Sequence, residues 1–226
     1  MVFMQKPYLS IVIPTLNEER NIKMLMEGIS NVLHDYKYEV LIVDGYSKDD
    51  TVKIAKRMGA RIIYDDKGKG SALIKGLHDA KGEIIISMDA DLSNRPNELL
   101  LLIAGIEAGY EVCLGSRFLT GGGSDDMPMV RKIGNKGFVT IVNLIYGSHY
   151  TDLCYGYRSF ARNVANRLHL KEPGFGIETE ISIKAQKMHM RVLEVPSYEK
   201  LRASGEGKLR SLSDGFIILK AIIKNM

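Results

Sequence analysis

The chain has 226 residues, 45% of them hydrophobic and 26% charged, with a formal net charge of +4. That is enough for one large domain or two small ones with a sizeable core, and it excludes a disordered or fibrous chain. The mild charge argues against nucleic acid as a partner, although local basic clusters could still meet phosphates.

The elements follow in chain order. "YLSIVIP" (8–14) reads as a strand. The apolar run Leu9 to Ile13 meets Pro14 and acidic residues at once, so it is not a signal peptide. After Asn17, the residues Ile22, Leu25, Met26, Ile29, Val32 and Leu33 recur at helical spacing. "EVLIVD" (39–44) is a second strand, and "DDTVKIAKRMG" (49–59) a helix stopped by Gly59. "ARIIYD" (60–65), a helix near 70–81, "EIIISMD" (83–89), a helix near 96–108 and "YEVCLGS" (110–116) continue the alternation. Strands this apolar on both faces belong between helix layers, and the alternation predicts a doubly wound, mostly parallel α/β sheet. After Arg117 the rhythm breaks. "LTGGGSDDMP" (119–128) is a Gly-rich loop, 131–147 a helix, "EISIKAQKMHM" (180–190) a helix, "RVLEVP" (191–196) a strand and 213–226 an amphipathic end. With no linker or repeat, a single domain over 1–226 is expected. Cys113 and Cys154 lack metal-ligand spacing and read as free thiols of a reducing compartment. No apolar stretch approaches a membrane span, and the expected location is cytoplasmic.

One feature of the fourth strand is chemically odd: a largely apolar run, 83–88, finishes in Asp89-Ala90-Asp91. Side chains two apart in an extended chain share a side, so two like charges would meet in one small volume. A divalent cation relieves that, and hard oxygen ligands suit Mg²⁺ or Mn²⁺. The plain alternative is an acidic loop before the helix that Pro96 opens. Ligands of open α/β sheets bind beyond the carboxyl ends of the strands, where Pro14, Asp44, Asp89, Asp91 and Arg117 all fall.

Taken together, "SIVIPTLNEE", "VLIVDGYSKDDT", "KGKGSALIKGL", "DAD" and "GSRF" resemble the inverting sugar-nucleotide glycosyltransferases of family two, with the GT-A fold, over nearly the whole chain. "TDLCYGYRSF", "PGFGIETEISIKA" and "KLRASGEGKLR" resemble the polyprenyl-phosphate branch, of which the dolichyl-phosphate mannose and glucose synthases are examples. The resemblance implies a metal-dependent transferase that moves a sugar from a UDP- or GDP-sugar to a polyprenyl (dolichyl-type) phosphate. The alternative is transfer to a hydroxyl of a cell-envelope glycan or small molecule. Residues 1–117 would then form the nucleotide-sugar half and 118–226 the acceptor half. A nucleotidyltransferase is disfavoured, because "PTLNEE" stands where its Gly-rich loop should be.

The same resemblance assigns candidate roles. Asp91 and Asp89 would bind the metal (Mg²⁺ or Mn²⁺), with Asp89 also a candidate for sugar-side hydroxyls. Asp44 would read the nucleobase, or else be an ordinary turn aspartate. Here the chain departs from the family's usual Asp-Asp-Gly-Ser, reading Asp44-Gly45-Tyr46-Ser47. Pro14, Leu16, Asn17 and Glu18 would form the opposite wall, unless Asn17 and the acids only start a helix. Lys69 and Gly70, ahead of a helix, suit an anionic or base contact, or else belong to a flexible polar turn, and Ala90 with Asp89 completes the nucleotide set. Arg117 is either a phosphate clamp for the acceptor or a structural ion-pair partner, with the family's "GSR" favouring the clamp. Arg131, Arg202 and Lys208 are further acceptor-phosphate candidates, against the plain reading of a solvated basic face. Asp152 and Glu178 match family positions near the acceptor, although an ionised lipid phosphate needs no general base. The segments 137–147 and 215–226, with Lys132, Lys136, Lys220 and Lys224 nearby, suit peripheral contact with the cytoplasmic face of a membrane, or else simply cover the sheet.

Overall fold

Alternating β-branched side chains place one half of each central strand on either face of a single sheet. In β1 (Leu9–Thr15), Leu9, Ile11 and Ile13 join one core and Val12 the other, all fully buried. The computed structural model describes residues 6–203 and 211–226, with the side chains of 211–214 left aside. β2 (Tyr38–Asp44) and β3 (Arg61–Tyr64) lie on one side of β1, and β4 (Ile84–Ser87) on the other, all parallel. The sheet order is β3-β2-β1-β4-β7-β5-β8, where β5 is Val112–Ser116, β7 Arg158–Ala161 and β8 Val192–Pro196. β7 runs antiparallel to both neighbours. The two-residue strands β6 (Gly123–Ser124) and β9 (Tyr198–Glu199) pair separately.

Helices cover both faces. α1 (Ile22–Val32), α2 (Thr51–Arg57) and α4 (Leu99–Glu107, entered through a 3-10 turn at Pro96–Glu98) share one core with the odd residues of β1. α3 (Lys69–Asp79), α5 (Met129–Tyr146), α6 (Val164–Arg167), α7 (Ile177–Lys187) and α8 (Ser211–Lys224) share the other. Each fully buried Ile or Leu contributes about 1.5–3 kcal/mol, so these two layers fix the strand register. That register puts Thr15 opposite Asp44, and Val12 opposite Ser87, aligning the carboxyl ends of β1, β2 and β4 along one edge.

The predicted strands and helices of the first half all form, as do the helices over 131–147 and 180–190, the strand 191–196 and the C-terminal helix. Three local expectations change. β4 closes at Ser87, so Asp89 and Asp91 stand in a loop and not on an extended strand. Asn17 does not cap the first helix, whose N-cap is Asn21; Asn17 has a left-handed φ of 55°. The stretch containing β7 and α6 carries elements that sequence patterning does not announce. Both cysteines are free, and burial pushes each thiol up to about 12.

Candidate active site

The loop after β4 is held by its own side chains. Asn94, fully buried, accepts the Asp89 N–H on Oδ1 at 2.7 Å and donates to the Tyr155 hydroxyl at 3.0 Å. Asp91 Oδ1 accepts the Ser93 N–H at 3.1 Å, and Leu92 takes a left-handed φ of 66° to close the turn. The loop therefore aims both carboxylates at a cavity of about 340 Å³ beyond the strand ends. Pro14, Leu16, Glu18 and Gly45 line it, as do Lys69, Asp89, Ala90, Asp91 and Arg202.

Each carboxylate already has a basic neighbour. Lys69 Nζ lies 2.7 Å from Asp89 Oδ1 and 3.1 Å from Glu178 Oε1. Burial alone would lower the Lys69 pKa, but the two carboxylates outweigh it and hold the ammonium above its ordinary value. Arg202 Nη2 lies 3.3 Å from Asp91 Oδ2, and its Nε lies 3.5 Å from Asp126 Oδ2. Gly156 faces the first cluster: a Cβ there would lie 3.1 Å from Lys69 Nζ and 3.4 Å from oxygens of both Asp89 and Glu178.

Other candidates are placed elsewhere. Arg117 does not face the cavity. Its guanidinium bonds Asp152 at 2.7 and 3.0 Å and Glu199 at 3.1 Å, and stacks over Tyr155 at 4.6 Å. Burial opposes that charge, yet Asp152 and Glu199 raise its pKa. Arg117 thus makes the ion pairs that the structural alternative expects. Asp152 is fully buried and also accepts from Asn135 at 3.1 Å and the Cys154 N–H, so its oxygens are engaged within the fold. Gly70 is buried against 172–174, where a Cβ would sit 2.2 Å from the Glu172 carbonyl oxygen, so close packing alone already requires a glycine here. Asn17 braces the loop after β2, its Oδ1 accepting the Lys48 N–H at 2.8 Å and its N–H donating to Ser47 Oγ at 2.8 Å. Asp44 is fully buried at the end of β2 and accepts the N–H of Ser47 at 2.9 Å and its hydroxyl, the turn arrangement weighed above. Where the usual pattern has glycine, Tyr46 keeps a left-handed φ of 62° and stacks on Tyr64 at 5.2 Å. Arg131 lies in the first turn of α5, off the cavity wall, its Nε buried without a hydrogen-bond partner. Lys208 lies outside the described residues.

Sequence reasoning passed over Asp65, Asp66, Gly68 and Phe175, which also line the cavity. The strand-end rule applied to β3 would have found the two aspartates; Phe175 gives no such signal. Among the described residues no group of three or more His, Cys, Asp or Glu could hold a metal ion. Two carboxylates alone suit a cation that keeps water and takes further oxygens from a bound diphosphate, the preference of Mg²⁺.

A doubly wound sheet with an acidic loop over a strand-end cavity is the arrangement expected of a GT-A glycosyltransferase, and the comparisons agree. Glucosyl-3-phosphoglycerate synthase of Mycobacterium tuberculosis, solved with Mn²⁺, UDP and glucosyl-3-phosphoglycerate, has this fold: TM-score 0.77, 21% identity, over 97% of this chain and 80% of that one. Residues 10–168 match the family described as Glycosyl transferase family 2, and the chain belongs to that family. A dolichol-phosphate mannosyltransferase of Pyrococcus furiosus is 34% identical over 209 residues, which cover 89% of this chain but only 59% of that protein. A dolichyl-phosphate hexose transferase of Haloferax volcanii is 30% identical over 217 residues, covering 96% and 92% of the two chains.

Proposed function

We propose that this glycosyltransferase moves a sugar, with inversion, from a nucleoside diphosphate to a polyprenyl phosphate. The observation that carries the reading is the rigid loop that aims Asp89 and Asp91 into the strand-end cavity. Pro14, Leu16, Glu18 and Gly45 would hold the nucleoside. Asp91 and Asp89 would hold a divalent cation, which as a Lewis acid stabilises charge on the leaving diphosphate. Lys69 places a fixed positive charge beside that diphosphate, and Glu178 orients Lys69. Inversion requires the acceptor to approach the anomeric carbon from the side opposite the diphosphate. An ionised phosphate attacks without a base, which fits a site where Asp152 is locked to Arg117 and Glu178 to Lys69. The names of the Pyrococcus and Haloferax relatives support a lipid-phosphate acceptor.

Such an acceptor keeps its tail in the bilayer, so the enzyme would work at a membrane surface. α5 and α8 pack together and leave Met129, Ile133, Leu144, Phe216 and Ile223 exposed, with Lys132, Lys136 and Lys220 beside them. No helix among the described residues is long and apolar enough to cross a membrane. An amphipathic basic pair of this kind suits the headgroup plane.

The test is transfer from labelled UDP- and GDP-sugars to polyprenyl phosphate with Mn²⁺, read by extraction into organic solvent. Asp91→Ala should lose transfer, about 10²-fold or more, while Tm stays within about 3 °C, because the side chain stands in a loop. Wild-type turnover in that variant, or full activity under chelator, would refute the assignment. Transfer only to soluble hydroxyl acceptors would replace the lipid reading with the alternative.

A further inference from the structure

The two acidic side chains at the cavity are compensated in different ways. Asp89 belongs to the compact cluster with Lys69 and Glu178. Asp91 has one oxygen engaged by the Ser93 N–H, and the other faces Arg202. The oxygen a cation would need is therefore the one the guanidinium occupies.

The contact is also built to be given up. Arg202 lies 3.3 Å from Asp91 and 3.5 Å from Asp126, longer than the roughly 2.7–2.9 Å of a strong charge-assisted bond. Arg117, by contrast, holds Asp152 at 2.7 Å with almost no exposure of either side chain. Asp126 gives Arg202 a second carboxylate, so leaving Asp91 does not strand a bare charge. The backbone around it is tied to the same loop, with Lys200 N–H on the Ser93 carbonyl at 2.9 Å and Ala203 N–H on the Asp91 carbonyl at 3.2 Å. Across both clusters, the carboxylates of Asp89, Asp91, Asp126 and Glu178 face two basic side chains, Lys69 and Arg202.

We propose that Arg202 is an internal counter-cation of Asp91 which a divalent metal must displace, so that the free chain takes up metal weakly and the diphosphate-bound chain takes it up strongly. The proposal rests on the reading of Asp91 as a metal ligand. A diphosphate adds negative charge next to the displaced guanidinium and so offsets the loss of its partner. Metal and donor then bind as a pair, each raising the affinity for the other by the same factor.

Direct Mn²⁺ titration of the full chain, with unbound Mn²⁺ read by electron paramagnetic resonance, tests this without any turnover. In the absence of nucleotide, Arg202→Met should bind Mn²⁺ about tenfold more tightly than the wild type. Arg202→Lys, which keeps the charge, should stay within about threefold. Lys200→Met is the control for mere loss of positive charge from this segment and should match the wild type. With UDP or GDP present, the advantage of Arg202→Met should shrink. Unchanged or weaker binding in Arg202→Met, or equal tightening in Lys200→Met, overturns the proposal while loss of binding in Asp91→Asn keeps the metal assignment. Wild-type Mn²⁺ binding in Asp91→Asn overturns both. Circular dichroism melts establish that each variant is folded.

Discussion

Gly156 faces the space between Lys69, Asp89 and Glu178, and its missing side chain is part of the site. A methyl group at 3.1–3.4 Å is tighter than ordinary contact, yet the atoms it meets are the ends of side chains and not backbone. Gly156→Ala should accordingly fold, with Tm within about 3 °C of the wild type, while kcat falls about tenfold or more because the charged cluster shifts. Steady-state kinetics beside a thermal melt checks this; wild-type kcat would mean that the cluster stands away from the reacting sugar. At this scale, the sequence discloses the groups that strand ends present: Pro14, Leu16, Glu18, Lys69, Asp89, Ala90, Asp91 and Arg202 all reach one cavity. It conceals what depends on distant partners. Nothing in "GSR" indicates that Arg117 is already taken by Asp152, because the two are far apart in the chain and meet only through folding. The close packing of the segment 172–174 on Gly70 is hidden for a related reason, since the two stretches meet only through folding.

The packing of 172–174 on the start of α3 is the element-scale joint of the site. The Ser71 N–H donates to the Pro173 carbonyl at 3.1 Å, and Glu180 accepts the N–H groups of Lys171 and Glu172 at 3.0 and 2.8 Å. α7, which carries Glu178, is thereby tied to α3, which carries Lys69. Gly70→Ala should break that joint, since its Cβ would overlap backbone that has no flexible end to move. Overpacking of about 1–3 kcal/mol is expected, or roughly 2–12 °C in Tm for a chain of this size. A differential scanning calorimetry trace indistinguishable from wild type would contradict it. The elements with plain apolar patterning were legible in the sequence: α1 follows from helical spacing, and β1, β2 and β5 from short apolar runs. β7 was not. Arg158 and Ser159 are fully buried polar residues in a central strand, and their partners are supplied by tertiary contacts. Arg158 donates to the carbonyls of Leu153, Tyr155 and Glu178, while Ser159 Oγ donates to the Leu102 carbonyl.

At the scale of the whole molecule, the exposed faces of α5 and α8 make the membrane proposal testable. Leu144 and Phe216 are 84% and 74% exposed, so Leu144→Glu/Phe216→Glu should change stability by no more than about 0.5 kcal/mol per site. The wild type should co-sediment with phosphatidylglycerol vesicles at low salt, and the double variant should stay in the supernatant with unaltered UDP and GDP affinity. A wild type that ignores such vesicles would remove the membrane from the proposal. The global α/β plan was legible because alternation of strand and helix dictates it, whereas the mounting of the acceptor side was not, because loops carry it. The position of β7, between β4 and β5, reaches further than the site. A nascent chain that has left the ribosome as far as Ser116 possesses both flanking strands and nothing to join them. The gap is filled only when Arg158–Ala161 emerges, and until then two apolar strands present open edges to the solvent. Closure of the sheet is a late, long-range event in folding. A gene split after residue 117 would separate β4 and β5 from the strand that lies between them, and the two fragments are expected to need each other to complete the sheet.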